Sequence, residues 1–115
     1  MKPILPSLKE KKRYLVFEVI TKHKIKDFGQ IAKAMNQQVL ECYGTKGASE
    51  MGVMPVKERW DAAKQRGIVK VGHRGVDKLK ASMLMITRVG RQKATFISVG
   101  VSGILNKAQQ KFIDI

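Results

Sequence analysis

Tyr14-Leu15-Val16-Phe17-Glu18-Val19-Ile20 is the stretch that decides the fold. β-branched and aromatic side chains dominate it and polar residues bound it, which is the pattern of a strand. Alternation sends Leu15, Phe17 and Val19 to one face and Tyr14, Val16 and Glu18 to the other. Both faces are largely apolar. The strand is therefore expected near the centre of a sheet, covered at least in part on both sides.

Downstream, Asp27 with Gln30 three residues later matches a capping box. Phe28, Ile31, Ala32, Met35, Val39 and Cys42 then recur at helical spacing, predicting a helix over about 27–43 that Gly44 ends. Cys42 falls on the apolar stripe and is expected to be a buried, inert thiol. Residues 44–49 read as an irregular loop. Residues 54–61 predict a second strand, with Val56 and Trp60 on one face, Lys57 and Arg59 on the other, and Trp60 a packing residue. Gln65-Arg66-Gly67 marks a hairpin turn. Over 67–73 the chain returns as a strand, with Val69 and Val71 toward the core and Ile68 and Lys70 on the other side. Val76, Leu79, Met83 and Ile86 define a second helix, about 76–89, with Gly90 at its end. The last strand spans 94–101, with Ile97, Val99 and Val101 against the core and Phe96 and Ser98 opposite. A short helix follows over 104–115.

Strand, helix, strand, strand, helix, strand is the split βαβ order. The fold class expected is α+β: a ferredoxin-like sandwich, related to RNA-recognition domains, with a four-stranded antiparallel sheet, two main helices on one face and a short C-terminal helix. Residues 1–115 make one domain, with 1–13 a basic N-terminal arm. The sheet face away from the helices would present Tyr14, Val16, Glu18, Ile68, Lys70, Phe96 and Ser98. Such a mixed surface needs a partner or the terminal helix to cover it. Tyr14, Val16, Ile68 and Phe96 are the candidates for contact with a protein partner.

Charge points to the function. Lys and Arg number 23 against nine Asp and Glu, a formal net charge of +14 over 115 residues. Small domains need a charge of only about 2 to 8 for solubility. The excess repels itself in the compact state unless a polyanion answers it, and nucleic acid is the main intracellular polyanion. An anionic membrane surface is the weaker candidate, because the cations are spread along the chain rather than along one amphipathic helix. No apolar run reaches the roughly 20 residues of a spanning helix, and the N-terminus lacks a secretory pattern. The single cysteine, Cys42, excludes an internal disulfide and a thiolate cluster, so a reducing, cytoplasmic setting is expected.

Two local features suit phosphate. His73-Arg74-Gly75 joins a strand to a helix start, where a cation and helix N-terminal amides converge. Gly100-Val101-Ser102-Gly103 does the same later, with Ser102 able to cap the helix or donate to phosphate. A plain turn and cap is an equally good reading of either. Lys9, Lys11, Lys12 and Arg13 add a basic cluster beside the first strand. The candidate RNA-binding set is therefore Lys9, Lys11, Lys12, Arg13, His73, Arg74, Ser102 and Gly103. For catalysis the sequence offers little. The acids are scattered, His23 and His73 stand apart, and no G-x-S-x-G, Walker or dinucleotide fingerprint is present. No catalytic residue, metal ligand or bound cofactor is expected in this chain. The aromatics that RNA-recognition domains use to stack bases are replaced by Ile, Val and Lys over 67–73.

Taken together, the strings resemble the archaeal and eukaryotic ribonuclease P protein family known in archaea as component 2. The most specific pieces are Pro3 to Pro6 with Leu8-Lys9-Glu10-Lys11-Lys12-Arg13-Tyr14-Leu15-Val16-Phe17-Glu18-Val19, then Gly67-Ile68-Val69-Lys70-Val71 with His73, Val76 and Asp77, then Gly100-Val101-Ser102-Gly103. Residues 44–54 and the tail after Gly103 are not diagnostic. The resemblance implies a subunit of the enzyme that removes the 5′ leader from precursor tRNA. It implies that the RNA subunit, holding Mg²⁺, is the catalyst. It also implies a protein partner, component 3, and two copies of each in one assembly. The alternatives left open by the residues are a ribosomal or other RNA-binding protein, a small phosphatase on the same fold, and a structural adaptor.

Overall fold

The computed structural model describes residues 11–114, and the arm residues 1–10, Lys9 among them, lie outside the described residues. The elements run β1 (Lys12–Thr21), α1 (Phe28–Met51), β2 (Met54–Asp61), β3 (Arg66–Gly72), a 3₁₀ turn (His73–Gly75), α2 (Val76–Leu84), β4 (Arg88–Val89), β5 (Gln92–Ser102) and α3 (Leu105–Phe112). The fold is α+β, with a five-stranded antiparallel sheet in the order β2-β3-β1-β5-β4. The two-residue β4 is the strand added to the four expected. Among the described residues no helix is long and apolar enough to cross a membrane.

β1 is central, and its alternation works on both faces. Leu15, Phe17 and Val19 pack with Phe28, Ile31, Met35 and Val39 of α1 and with Leu79 and Met83 of α2. Val16 points the other way, into a second cluster with Ile68, Ala108 and Ile113. Helices α1 and α2 thus cover one sheet face and α3 the other. The expectation of an open face is corrected here. Val16 and Ile68 are fully buried beneath α3, so neither has surface to offer a partner. Of the two covers expected for this face, a partner or the terminal helix, the terminal helix occupies it.

Three further corrections follow from backbone irregularities. Gly44 does not end α1. It bends it: its φ of +72° breaks the helical run, a conformation glycine adopts without steric cost. Helix resumes through residues expected to be loop, so that Ala48 and Met51 reach the core, and Gly52 caps it in the left-handed region. In β2, pairing jumps from Val56 opposite Ile68 to Asp61 opposite Arg66. The extra residues turn Val56 toward α3 and Trp60 toward α1, rather than onto one face. In β5, Val16 pairs with Gly100 and Phe17 with Ser98, leaving Val99 as a bulge. A bulge reverses which face the alternating positions occupy. Ala94 and Phe96 therefore enter the main core, while Ile97 is 37% exposed and Val99 joins the α3 cluster. Phe96, expected on the outer face, is fully buried against Phe17. It too has no surface for a partner.

Smaller differences have local causes. α2 stops at Leu84, and Gly90 lies in the β4–β5 hairpin instead of ending a helix. The β2–β3 turn falls earlier than expected, over Asp61–Gln65, where the Asp61 carboxylate accepts from the amides of Ala63 and Lys64. Cys42 is half-buried, accepting from Gln38 and donating to the Met85 sulfur at 3.6 Å. Asp27 caps α1, accepting from the Gly29 amide at 2.9 Å, while the Gln30 side chain expected to complete a capping box lies against Gly90 instead. Trp60 is a packing residue, its ring against Phe17 and Phe28.

Two polar devices lock the layers. Arg66 donates to Glu18 at 2.8 Å and to the Phe112 carbonyl at 2.7 Å, tying α3 to the sheet. Gln65, buried at a φ of +55°, accepts from the Ile25 amide and donates to the carbonyls of Ile25 and Ala62. It fastens the β1–α1 connection to the β2–β3 turn. Gln65→Ala removes the acceptor of a buried amide. The expected loss is about 1–3 kcal/mol, read as a lower urea midpoint at an unchanged denaturant slope.

Candidate nucleic-acid interface

Strand pairing gathers the separated sequence pieces. Lys12 lies opposite Gly72 and Arg13 opposite Val71 on β3, while Tyr14 sits between Lys70 on β3 and Ser102 on β5. The start of β1 and the ends of β3 and β5 are therefore neighbours at one end of the sheet. The His73 amide donates to the Lys11 carbonyl at 2.8 Å, which carries the contact into the 3₁₀ turn. Arg13 donates to the Lys12 carbonyl at 2.9 Å, and its guanidinium lies beside Gly103, 3.7 Å from where a Cβ would stand. Lys12 extends its ammonium to the α1 C-cap, 3.3 Å from the Cβ position of Gly52. Lys11, Lys12, Arg13, His73, Arg74, Ser102 and Gly103 are thus brought to one place.

Lys11, Lys12, His73, Arg74 and Gly103 are exposed, whereas Arg13 and Ser102 are half-buried. The strand ends and turn that meet here, residues 11–14, 70–74 and 102–103, contain no carboxylate. Strand pairing and the 3₁₀ turn hold the backbone that carries these cations, so meeting a phosphate orders side chains but no loop.

Ser102 is not the helix cap that the sequence suggested. Its hydroxyl donates to the Ile104 carbonyl and accepts from the Ile104 amide, closing the turn before α3. Ile104 is the N-cap and supplies no side-chain acceptor. Gly75 likewise opens α2 without one.

The sequence reading missed Lys70 as a site residue. Lys70 lies on the same sheet face as Ile68, as expected, and the register sets it half-buried opposite Tyr14, within the cationic end. Only the pairing register carries that signal. Tyr14 remains half-buried at the same end. Among the described residues, no three His, Cys, Asp or Glu side chains group as a metal site would require.

The profile of the Rpp14/Pop5 family matches residues 13–113. Ribonuclease P protein component 2 of Methanocaldococcus jannaschii is 33% identical over 115 residues, covering all of this chain and 82% of that protein. The component 2 proteins of Methanosarcina acetivorans, 34% identical over 98% of this chain and 82% of theirs, and of Archaeoglobus fulgidus, 29% identical across the whole of both, agree. In the cryo-EM structure of yeast ribonuclease MRP, one chain shares the fold with a TM-score of 0.60 at 14% identity, covering 83% of this chain and 76% of that one. With a family profile spanning nearly its whole length and full-length relatives at about one third identity, this chain belongs to the Rpp14/Pop5 family of ribonuclease P protein subunits.

Proposed function

We propose that the chain acts as a cationic scaffold in ribonuclease P: it binds the RNA subunit, and that RNA, holding Mg²⁺, removes the 5′ leader from precursor tRNA. The observation that carries this reading is the convergence of Lys11, Lys12, Arg13, His73, Arg74 and the Ser102–Gly103 turn on one end of the sheet. Cations fixed there neutralise RNA phosphates and release their counterions. Segments of RNA that repel one another then approach with less help from Mg²⁺. The same reading takes the sheet and its α1–α2 layer as a variant of the ferredoxin-like, RNA-recognition-domain-like sandwich. It places the chain in the cytoplasm, with ribonuclease P protein component 3 as a protein partner and two copies of each in the assembly.

Leader removal from precursor tRNA, reconstituted with the matching RNA and protein partner, tests this reading. Lys12→Ala and Arg74→Ala are each expected to slow cleavage about tenfold at limiting Mg²⁺, the loss of about one phosphate contact. At saturating Mg²⁺ the loss should shrink to about twofold, because divalent ions then supply the neutralising charge. A loss equal at every Mg²⁺ concentration, or leader removal by the protein without RNA, contradicts it.

A further inference from the structure

Opposite the cationic cluster, at the far end of β1, the chain builds a groove. Thr21 pairs with Ala94. The Gln92 side chain closes the gap, accepting from the His23 amide at 3.3 Å and donating to the His23 carbonyl at 3.0 Å. Between this clasp and the end of α2 lies an opening of about 750 Å³. Ile20, Leu84, Ile86 and Ala94 form its apolar lining, and Lys22 and Lys93 stand among its cations. Ile20 is 51% exposed and Leu84 71%, and Met85, next in the chain, is 60% exposed. Arg88 faces Lys93 directly across the β4–β5 pair, a like-charge juxtaposition that costs stability unless something anionic lies nearby.

We propose that this groove docks an acidic segment of another protein, with aliphatic side chains seated on Ile20 and Leu84 and carboxylates meeting Lys22, Arg88 and Lys93. Leucine and isoleucine exposed together gain from meeting apolar surface, at roughly 25 cal/mol per Å² removed from water, and a phosphate backbone supplies none. No Phe, Tyr or Trp lines the groove, so a nucleobase finds none of the aromatic faces on which bases commonly stack. A second copy docked in this groove by the same face would set Lys22, Arg88 and Lys93 against their own counterparts, a like-charge juxtaposition that disfavours it at this place. An acidic, aliphatic segment satisfies both the floor and the rim. The proposal rests on the reading of the chain as a subunit that holds RNA at one end and protein at another. It moves the protein contact from the sheet face that α3 covers to the opposite end of β1.

The test is selection of displayed random 16-residue peptides on the full chain, with the Ile20→Thr/Leu84→Gln double variant as counter-target. Both positions are exposed and the variant keeps the charge, so its thermal midpoint should stay near wild type. Enriched peptides are expected to combine Leu, Ile or Val with an excess of Asp and Glu. They should bind the variant at least tenfold more weakly and shift the methyl NMR signals of Ile20 and Leu84. A structured RNA fragment titrated into the same sample should leave those methyls unmoved and bind wild type and variant alike. That arm separates failure of the groove from failure of the RNA reading. The proposal is overturned by enrichment of neutral or basic peptides, by equal binding to the variant, by RNA shifting the groove methyls, or by a wild-type dimer that the variant dissolves.

Discussion

Alanine at Lys12, Arg13 and Arg74 together is expected to weaken binding to ribonuclease P RNA about 100-fold at physiological salt. Lys12 and Arg13 open β1 and Arg74 lies in the 3₁₀ turn, and the β1–β3 register holds all three at one end of the sheet. Each contact between a cation and a phosphate is worth at least about 1 kcal/mol, and three of them come to about two decades in affinity. Fluorescence anisotropy with labelled RNA reads this directly. The matched control replaces Lys22, Lys26 and Lys33, all exposed and outside the cluster. It removes the same charge from the molecule and should cost less than tenfold. Equal losses would mean that net charge alone, not the geometry of the sheet end, drives binding.

Phe17→Ala is expected to bring the domain close to unfolding. The ring is fully buried and stacked between Trp60, 6.2 Å away, and Phe96, 5.8 Å away. Truncating such a ring costs about 3–5 kcal/mol through lost transfer energy and the cavity left behind. Domains of this size are commonly stable by only about 5–15 kcal/mol. A fall in thermal midpoint of roughly 12–20 °C follows. The adjacent pair Phe96 and Ile97 tests the β5 bulge by the same measurement. Phe96→Ala should destabilise about as much as Phe17→Ala, while Ile97→Ala, at a half-exposed position, should cost under about 1 kcal/mol. Strict alternation from Val101 predicts the opposite order, so a larger loss at Ile97 would place the strand in the other register.

What could be read from the residues was whatever their immediate neighbours determine. The two apolar faces of β1 follow from 2.0-residue alternation, and Asp27 announces α1 because its carboxylate reaches an amide two residues away. The family was legible because the diagnostic strings around Arg13, Val69 and Ser102 are contiguous. What escaped was set by distant pairing. Val99 bulges because β5 must pair with β1 on both sides of Gly100, where the Phe112 ring packs so closely that a Cβ would overlap it. No local pattern shows that reversal, and so Phe96 was assigned to the wrong face. Gly44 carries the usual sign of a helix end, yet Ala48 and Met51 beyond it gain enough from the core to restart the helix. The occupant of the outer sheet face was equally hidden. A short amphipathic tail and an external partner leave the same apolar signature on Val16 and Ile68, and only the folded chain shows Ala108 and Ile113 resting there.

The proposed RNA-binding cluster was legible as a list of cations but not as a place. Lys11 to Arg13, His73 to Arg74 and Ser102 to Gly103 are remote in the chain, and the β3-β1-β5 order makes them neighbours. Lys70 joins them only through its pairing with Tyr14.

The most direct measurement is the salt dependence of RNA binding by the wild-type chain and by the Lys12, Arg13 and Arg74 triple-alanine variant. Each phosphate neutralised contributes roughly 0.7 to 0.9 to the slope of log affinity against log salt. The account predicts a steep wild-type slope that falls by about 2 to 3 in the variant. A shallow wild-type slope, or one that the variant leaves unchanged, would show that the RNA is held somewhere other than the cationic end of the sheet.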